Sequence, residues 1–339
     1  MPGFLDFVRE QRTPLPLVPT PADVSGGTYI VTGSNTGLGY ECAKHLVRLG
    51  ATRVILAVRS PSRGAAALAS IRKETGKPAA GEVWELDLTS LASVEAFAAR
   101  LAALDRLDAL IESAGIARRF FELVEGLESS LTVNVLGTFL LAMRAIPKLR
   151  ESAKKFGIQP HVAIVTSETG FMMKPRPLEG VKSNVFETLS DEKTAIMPQR
   201  YPLSKLMQIY AGRELASLLP LSDTGVVINL VNPGLCSTEL ARESGWTLMR
   251  LQIEVMRRLV GRTAEEGSRT LLHGAFAGPE SHGKYLSACT TKDDKNPSVP
   301  EWLYNDDGVR TQKQVWADLI DILERKGHHV DIAALKAGH

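Results

Sequence analysis

Residues 28–39 read TYIVTGSNTGLG, and this stretch decides the fold class. The β-branched run before Gly33 is typical of a buried strand, and a helical pattern with apolar residues on one face follows the last glycine. Glycines at positions 33, 37 and 39 allow positive φ angles and a close approach of the backbone to a phosphate group. The free N–H groups at the helix start can bind that phosphate. The order of strand, glycine-rich turn and helix therefore predicts a dinucleotide-binding loop.

Strands and helices alternate along the rest of the chain. Continuous apolar runs such as RVILAV, HVAIV and GVVINLV stand between helical patterns, which indicates a parallel sheet that is covered by helices on both faces. We therefore expect an α/β fold with a single doubly wound parallel sheet over residues 28–290. An N-terminal arm at 1–27 precedes it and a C-terminal extension at 291–339 follows it. Segments 171–198 and 236–262 are expected on the substrate side.

Composition limits the class of partner. The 339 residues include 40 basic and 38 acidic ones, so the charge balance predicts no nucleic-acid partner. We see neither a secretory signal nor a run of about 18 apolar residues, so no integral membrane segment is expected. Three widely spaced cysteines predict neither a disulfide framework nor a zinc site, and a metal site at His328 and His329 is not expected either. A reducing, cytoplasmic location is the simplest interpretation.

The pattern Tyr-x-x-x-Lys occurs twice, as YECAK at 40–44 and as YPLSK at 201–205. Residues four apart share one face of a helix, so the lysine can lower the pKa of the tyrosine. The first pattern lies in the helix after the glycine loop, and its lysine points away from the carboxyl ends of the strands, where ligands bind in such sheets. We therefore interpret Tyr40 and Lys44 as ordinary helix residues and assign the chemistry to the second pattern.

Five motifs in order carry a family resemblance: TGSNTGLG, Asn134 in NVLGTF, Ser167 in VTSETG, YPLSK, and NPGLCST. Together they resemble a classical-type short-chain dehydrogenase/reductase with a Rossmann-type fold, over about residues 28–290. The long interval before YPLSK resembles the retinol-dehydrogenase-like branch and the reductases of fungal secondary-metabolite pathways. The resemblance implies that Tyr201 protonates a carbonyl oxygen and that Ser167 binds the same oxygen. Lys205 would hold the nicotinamide ribose and lower the pKa of the tyrosine, and Asn134 would hold a water in the proton relay.

The resemblance also implies a set of cofactor-binding residues and no metal. The glycine loop would hold the pyrophosphate, Asp87 and Leu88 would flank the adenine, and Thr238 would bind the nicotinamide carboxamide. The expected set is Gly33, Ser34, Asn35, Thr36, Gly37, Leu38, Gly39, Arg59, Asp87, Leu88, Ser113, Ala114, Gly115, Tyr201, Lys205, Pro233, Gly234 and Thr238.

The end of the second strand, LAVRS, indicates which nicotinamide cofactor is bound. An acidic residue there would bind the 2′-hydroxyl of the adenosine ribose, but Val58 stands in its place and Arg59 follows. A guanidinium group pairs with a 2′-phosphate, so we predict NADP(H) as the cofactor. Ser34 and Asn35 are expected to help, and Arg63 is a weaker candidate. In the alternative interpretation, Arg59 is only a solvated loop residue.

One motif departs from the family pattern. The family usually has Asn-Asn-Ala-Gly after the fourth strand, and this chain has ESAG at 112–115. The Ala-Gly pair that allows a close approach to the cofactor is kept. A buried carboxylate at Glu112 needs either a partner or a raised pKa.

The substrate side is rich in apolar residues. Phe171, Met172 and Met173 are expected to face the ligand, and Cys236 is expected to be a wall residue. Residues 246–260 have a helical pattern that fits either a mobile lid or a packed core helix, and their arginines also fit a membrane surface. We predict the reduction of a ketone or aldehyde on a bulky apolar small molecule, reversible as alcohol oxidation, by a possible homo-oligomer. The alternatives are a cofactor-binding template for cyclisation or isomerisation, and a redox sensor without turnover.

Overall fold

A computed structural model describes residues 3–173, 178, 181, 183–238, 255–292 and 296–337. Most of the expected lid helix, including Trp246, Met249, Arg250 and Ile253, lies outside these residues. The last part of that pattern, residues 255–260, is helical.

Ten strands lie within the described residues. They are β1 (Thr28–Thr32), β2 (Arg53–Val58), β3 (Glu82–Glu85), β4 (Ala109–Glu112), β5 (Leu123–Val124), β6 (Leu127–Glu128), β7 (His161–Val165), β8 (Val227–Asn232), β9 (Tyr285–Ser287) and β10 (Thr290–Lys292). Eight of them form one sheet in the order β10-β9-β8-β7-β4-β1-β2-β3. Every pair in it is parallel except β9 with β10. Strands β5 and β6 form a separate hairpin.

Eight described helices have eight or more residues: α1 (Phe4–Gln11), α2 (Gly37–Leu49), α3 (Pro61–Thr75), α4 (Leu91–Ala102), α5 (Thr138–Phe156), α6 (Met197–Leu218), α7 (Ala264–Phe276) and α8 (Asp306–Arg325). A π-helical stretch, Thr132–Gly137, leads into α5. Short helical turns lie at Pro21–Val24, Ser129–Leu131, Thr169–Met172, Val185–Thr188, Leu221–Thr224, Pro279–Ser281, Glu301–Leu303 and Ile332–Ala337.

Alternate residues of the central strands supply two cores, one on each face of the sheet. Ile30 and Leu110 pack in the core with α4, α5, α6 and α8. Val31 and Ile111 pack in the core with α2, α3 and α7. Because successive strand residues point to opposite faces, a strand between two helical layers must be apolar throughout. The prediction of an α/β doubly wound sheet is confirmed.

Helix α6 begins before the YPLSK motif. It starts at Met197, four residues before Tyr201, and Pro198 occupies its first turn. Proline costs little there, because the missing N–H would have no partner inside the helix. Pro202 lies further along, inside α6.

The C-terminal extension packs on the same core. Val315, Leu319 and Leu323 of α8 are buried in the cluster that includes Leu206 of α6, and Gln312 donates to a Glu214 carboxylate oxygen over 2.6 Å. The turn Ile332–Ala337 packs on α5, where the Arg150 guanidinium donates to the backbone oxygen of Leu335. These faces of α5 and α6 are therefore covered by the chain's own C-terminal residues.

Within the described ranges, a single helical stretch, Ser129–Phe156, is long and apolar enough to span a membrane. Its most apolar window is 94% buried inside the molecule, as expected for a helix that fills the core between the sheet and α4.

Candidate active site

The carboxyl ends of β1, β4, β7 and β8 meet at one edge of the sheet, where a cavity of about 1090 Å³ opens. The direction of chain progression reverses between β1 and β4, and ligands bind at such reversals in open parallel sheets. The cavity is lined by 18 of the predicted site residues: Gly33, Asn35, Thr36, Gly37, Leu38, Gly39, Arg59, Asp87, Leu88, Ser113, Ala114, Gly115, Ser167, Tyr201, Lys205, Pro233, Gly234 and Thr238.

The glycine loop forms a bare backbone cradle beside the start of α2. Gly33 has a φ of +65°, and a Cβ atom there would lie 2.9 Å from the Cα atom of Ala114. A Cβ atom on Gly39 would lie 2.8 Å from the carbonyl oxygen of Gly33. Larger residues would therefore separate the loop from the neighbouring strand and fill the space above it. The cradle and the N-terminus of α2 fit a dinucleotide pyrophosphate.

Two predicted residues do not line the cavity, and Ser34 is one of them. Its side chain is fully buried and donates to the backbone oxygen of Val31 over 2.8 Å. Its expected help with a 2′-phosphate is wrong, because the hydroxyl faces the protein interior. Arg59 is exposed at the end of β2, and Arg63 lines the same end of the cavity.

Tyr201 lies in the cavity wall, one turn into α6, with its phenol hydrogen-bonded to Ser167. Burial raises the pKa of Tyr201 to about 12, and the bond to Ser167 acts in the opposite direction. The Ser167 hydroxyl also accepts from the Thr169 hydroxyl over 3.0 Å. This arrangement keeps the phenol protonated and points two hydroxyl groups at the same part of the cavity.

Lys205 lies one turn further along α6, with its side chain buried. The Nζ atom donates to the backbone oxygen of Val165 and to Oε1 of Gln208, both over 2.8 Å. It stands 5.6 Å from the ring centroid of Tyr201. Burial lowers the pKa of Lys205 to about 7. The lysine is therefore close enough to stabilise a phenolate by about 3 kcal/mol at an effective dielectric constant near 20.

Asn134, the second residue that does not line the cavity, is fully buried in the π-helical stretch before α5. Its side chain accepts from the N–H of Ile116 and donates to the backbone oxygen of the same residue, both over 2.9 Å. Its own backbone oxygen accepts from Nε2 of Gln208 over 2.6 Å. The Gln208 carboxamide thus connects Lys205 to Asn134, and the water expected at Asn134 stays a prediction.

Gln208 is a site residue that the sequence analysis missed. It is buried on the same face of α6 as Lys205, three residues further along the helix. The spacing i, i+3 was the available signal, since residues so placed are neighbours on a helix surface. A polar residue at that position of an otherwise apolar face needs a buried partner.

Glu112 is the last residue of β4 and is buried in the centre of the sheet. Both carboxylate oxygens lack a hydrogen-bond partner among the described residues. Burial raises the pKa of Glu112 well above its usual value. Next to it, the N–H of Ala114 donates to the Thr32 hydroxyl over 2.9 Å, which ties the end of β4 to the end of β1. Of the two solutions considered for a carboxyl here, the described residues supply no partner, and burial favours the neutral form.

The first Tyr-x-x-x-Lys pattern has a structural role. The Tyr40 hydroxyl and the Lys44 ammonium group both bond to the Glu74 carboxylate, over 2.8 and 3.0 Å, and so join α2 to α3. Lys44 also pairs with Glu41 at 2.7 Å. The structure agrees with the interpretation of both residues as ordinary helix residues.

The expected substrate-side residues divide into two groups. Phe171, Met172 and Cys236 line the cavity. Met173 packs against the main core instead, so its expected contact with the ligand is wrong. Burial raises the pKa of the Cys236 thiol to about 12, which suits a wall residue better than a nucleophile.

Sequence comparisons identify the family of the chain. A profile of the short chain dehydrogenase family matches residues 28–177. Short chain dehydrogenase/reductase dmxR8 of Cryptosporiopsis sp. (strain 8999) is 40% identical over 331 residues, covering 95% of this chain and 97% of the relative. Short-chain dehydrogenase anuD of Penicillium roqueforti (strain FM164) is 37% identical over 326 residues, covering 95% and 84%. The chain belongs to the short-chain dehydrogenase/reductase family.

A comparison of structures leads to the same fold. A short-chain dehydrogenase from Sphingobium yanoikuyae, solved in complex with NADPH, superimposes with a TM-score of 0.54 at 23% identity. The match covers 71% of this chain and 81% of that one. This superposition supports the Rossmann-type fold, and the sequence relatives make the chain an oxidoreductase of the family.

The Glu112 carboxyl predicts a pH-dependent loss of stability. The unfolded chain ionises this group above about pH 4.5, whereas the folded chain keeps it protonated, so rising pH favours unfolding. The Glu112→Gln variant lacks this penalty. We expect the difference in free energy of unfolding between this variant and the wild type to grow with pH. The growth should be about 1.4 kcal/mol for each pH unit above 4.5, as long as the folded wild type keeps the Glu112 carboxyl protonated. Urea unfolding between pH 5 and 8 measures it.

The matched control is Glu85→Gln, the same substitution at an exposed position at the end of β3. This variant should leave the pH dependence of the wild type unchanged. A Glu112→Gln advantage that is constant across the pH range would show that the carboxyl is not held neutral in the folded chain.

Proposed function

We propose that the protein is an NADPH-dependent reductase of a ketone or aldehyde on a bulky apolar small molecule. The observation that carries the proposal is the grouping of Ser167, Tyr201 and Lys205 on one cavity wall, beside the glycine cradle. The apolar wall at Phe171 and Met172 suits an apolar substrate body. The resemblance to reductases of fungal secondary-metabolite pathways supports an intermediate of such a pathway as the substrate.

The chain's own residues handle the proton. A hydride for the carbonyl carbon would come from a reduced nicotinamide cofactor held beside the glycine cradle. Ser167 and Tyr201 bond to the carbonyl oxygen, and the tyrosine donates its proton as negative charge develops there. Burial makes an isolated phenolate costly, so the nearby ammonium group of Lys205 is needed to stabilise it.

Gln208 holds Lys205 in place for this step. Its carboxamide oxygen accepts from the ammonium group, while its NH2 group is held by the backbone oxygen of Asn134. A hydrogen bond to the charged form of a buried lysine favours that form. We propose that Gln208 keeps Lys205 protonated near neutral pH and therefore acts as a positioning residue.

The Tyr201→Phe variant should lose NADPH-dependent carbonyl reduction by a factor of about 10² to 10⁴, because it lacks the donated proton. The cofactor should still bind, since the cradle is unchanged. NADPH oxidation against a panel of bulky ketones and aldehydes measures the first effect, and fluorescence titration of NADPH measures the second. Tyr40→Phe is the matched control, with the same substitution in the same sequence pattern, and should keep full activity.

This pair of variants also tests the two alternatives. A template for cyclisation or isomerisation, or a redox sensor, would bind NADPH without oxidising it. Turnover that survives Tyr201→Phe, or tight NADPH binding with no turnover on any carbonyl compound, would contradict the reductase.

Arg59 is proposed to select NADP(H). Its guanidinium group stands at the end of β2, where it can pair with a 2′-phosphate. The Arg59→Ala variant should raise the KM for NADPH by a factor of about 10 to 100, since a charge-assisted hydrogen bond contributes about 1.5–3 kcal/mol. The KM for NADH should stay the same. Arg48→Ala, an exposed arginine on α2 away from the cavity, is the control, and equal effects on NADPH and NADH would refute this role.

The Gln208→Leu variant tests the positioning role. We expect kcat to fall by a factor of about 10 to 100 and the alkaline limb of its pH profile to move to lower pH, because Lys205 loses one hydrogen bond to its charged form. Steady-state kinetics between pH 6 and 10 measure both. Gln199→Leu, the same substitution at an exposed position of α6, is the control. A fall in kcat with an unmoved pH profile would indicate a structural role alone.

A further inference from the structure

The N-terminal helix α1 forms part of the cavity wall. Phe7 and Glu10 line the cavity, and they do so next to Pro233 and Gly234, which follow β8. The family profile begins at residue 28, after this helix. The described chain therefore adds an element from outside the profile to the end of the cavity where the nicotinamide is expected.

Specific polar contacts hold α1 in this position. The Gln11 carboxamide donates to the backbone oxygen of Leu235 over 2.9 Å and accepts from its N–H over 3.1 Å. The Arg262 guanidinium donates to the backbone oxygens of Glu10 over 2.6 Å and of Pro233 over 3.0 Å. A Cβ atom on Gly234 would lie 2.2 Å from Oε1 of Gln11, so this glycine makes room for the helix. These contacts fix the orientation of Glu10 relative to the site.

Three polar side chains at this end of the cavity can form further hydrogen bonds. The Tyr285 hydroxyl is buried and has no hydrogen-bond partner among the described residues, and the same holds for Oε1 of Glu10. Glu168 directly follows Ser167 and lines the cavity half-buried. Its backbone N–H donates to Oδ1 of Asn232 over 3.4 Å and its backbone oxygen accepts from the N–H of Phe171 over 2.9 Å, whereas its carboxylate has no hydrogen bond or ion pair among the described residues. Buried polar groups normally have partners, so this wall is suited to a polar ligand.

The charges at this wall favour a neutral ligand group. Lys292 stands 3.6 Å from Oε1 of Glu10, and the charge of Arg262 acts on the Glu168 carboxyl. Burial, together with the charge of Glu10, raises the pKa of Glu168 to about 7, so this carboxyl is partly protonated near neutral pH. Both acidic groups therefore already have a basic group nearby, and Arg257 lines the same cavity. A hydroxyl group can bond to the free acceptors without adding a charge, whereas an ammonium or carboxylate group would bring a further charge to this partly buried wall.

We propose that Glu10 of α1, Glu168 and Tyr285 form a subsite that binds hydroxyl groups of the substrate. The assignment of the ligand as the carbonyl substrate rests on the proposed function. Phe7, Phe171 and Met172 supply apolar surface around the same space. The substrate class is therefore an apolar ketone or aldehyde that carries phenol or alcohol hydroxyls away from its reacting carbonyl.

A site that is built to bond a hydroxyl group discriminates strongly against an analogue that lacks the donor, because its own polar groups are then left unpaired. Suitable probes are isomers of 2-acetylnaphthalene hydroxylated at different ring positions, each compared with its methyl ether. Calorimetric titration of the full chain in the presence of NADP⁺ gives Kd values without reduction. NADPH oxidation gives kcat/KM for the same compounds.

We expect at least one hydroxylated isomer to bind about 10 to 100 times more tightly than its methyl ether, as hydrogen bonds to charged groups imply. Tyr285→Phe and Glu168→Leu should bring this ratio close to one. Tyr285→Phe removes only an unbonded hydroxyl and so keeps the fold. Arg9→Leu, at an exposed position of α1 outside the cavity, should keep the ratio of the wild type.

Two results would overturn the subsite: no isomer that binds more tightly than its ether, or a preference that survives in both subsite variants. The reductase proposal and the subsite proposal can be refuted independently of each other. A preference in Kd without NADPH oxidation keeps the subsite and refutes the reductase, whereas oxidation of hydroxylated compounds and ethers at equal kcat/KM and Kd keeps the reductase and refutes the subsite.

Discussion

The hydrogen bond from the Lys205 ammonium group to the backbone oxygen of Val165 holds the site together. It ties α6 to the last residue of β7, so that Tyr201, one turn earlier on the same helix, faces the cavity beside Ser167. Burial there lowers the pKa of Lys205 to about 7 and raises that of Tyr201 to about 12. Each charged form alone is costly, and the two charged forms stabilise each other, which is the property that a proton donor beside a developing oxyanion needs.

The order of the strands places this pair beside the glycine loop. Strands β4 and β7 lie on one side of β1, and β2 and β3 lie on the other, so the chain leaves a crevice above β1. Because Gly33 has no side chain, its backbone lies close to Ala114 and no side chain at this position fills the crevice. Backbone N–H groups and small residues therefore form the proposed cofactor side, while α6 forms the proposed catalytic side. The fold fixes the distance between the two through the parallel pairing of β4 with β7.

Elements outside the family profile shape the opposite end of the cavity. The profile covers residues 28–177, whereas α1, β9 and the loop after β8 contribute Glu10, Tyr285 and Gly234 to the cavity lining. Helix α8 covers α6 from the other side and adds its apolar residues to the same core. Ser167 lies inside the profile and Tyr201 outside it, so the proposed chemistry and the proposed substrate recognition both draw on residues from inside and outside the profile.

The sequence by itself determined the fold class, the glycine loop and the choice between the two Tyr-x-x-x-Lys patterns. These features follow from local periodicity and from the order of elements along the chain, which suffice to place YPLSK near the strand ends and YECAK after the loop. Only the tertiary structure decided that Ser34 turns inward, that Gln208 connects Lys205 to Asn134, and that α1 reaches the cavity. Gln11 and Leu235 are 224 residues apart, and contacts over such separations depend on how the elements pack, which no local pattern records.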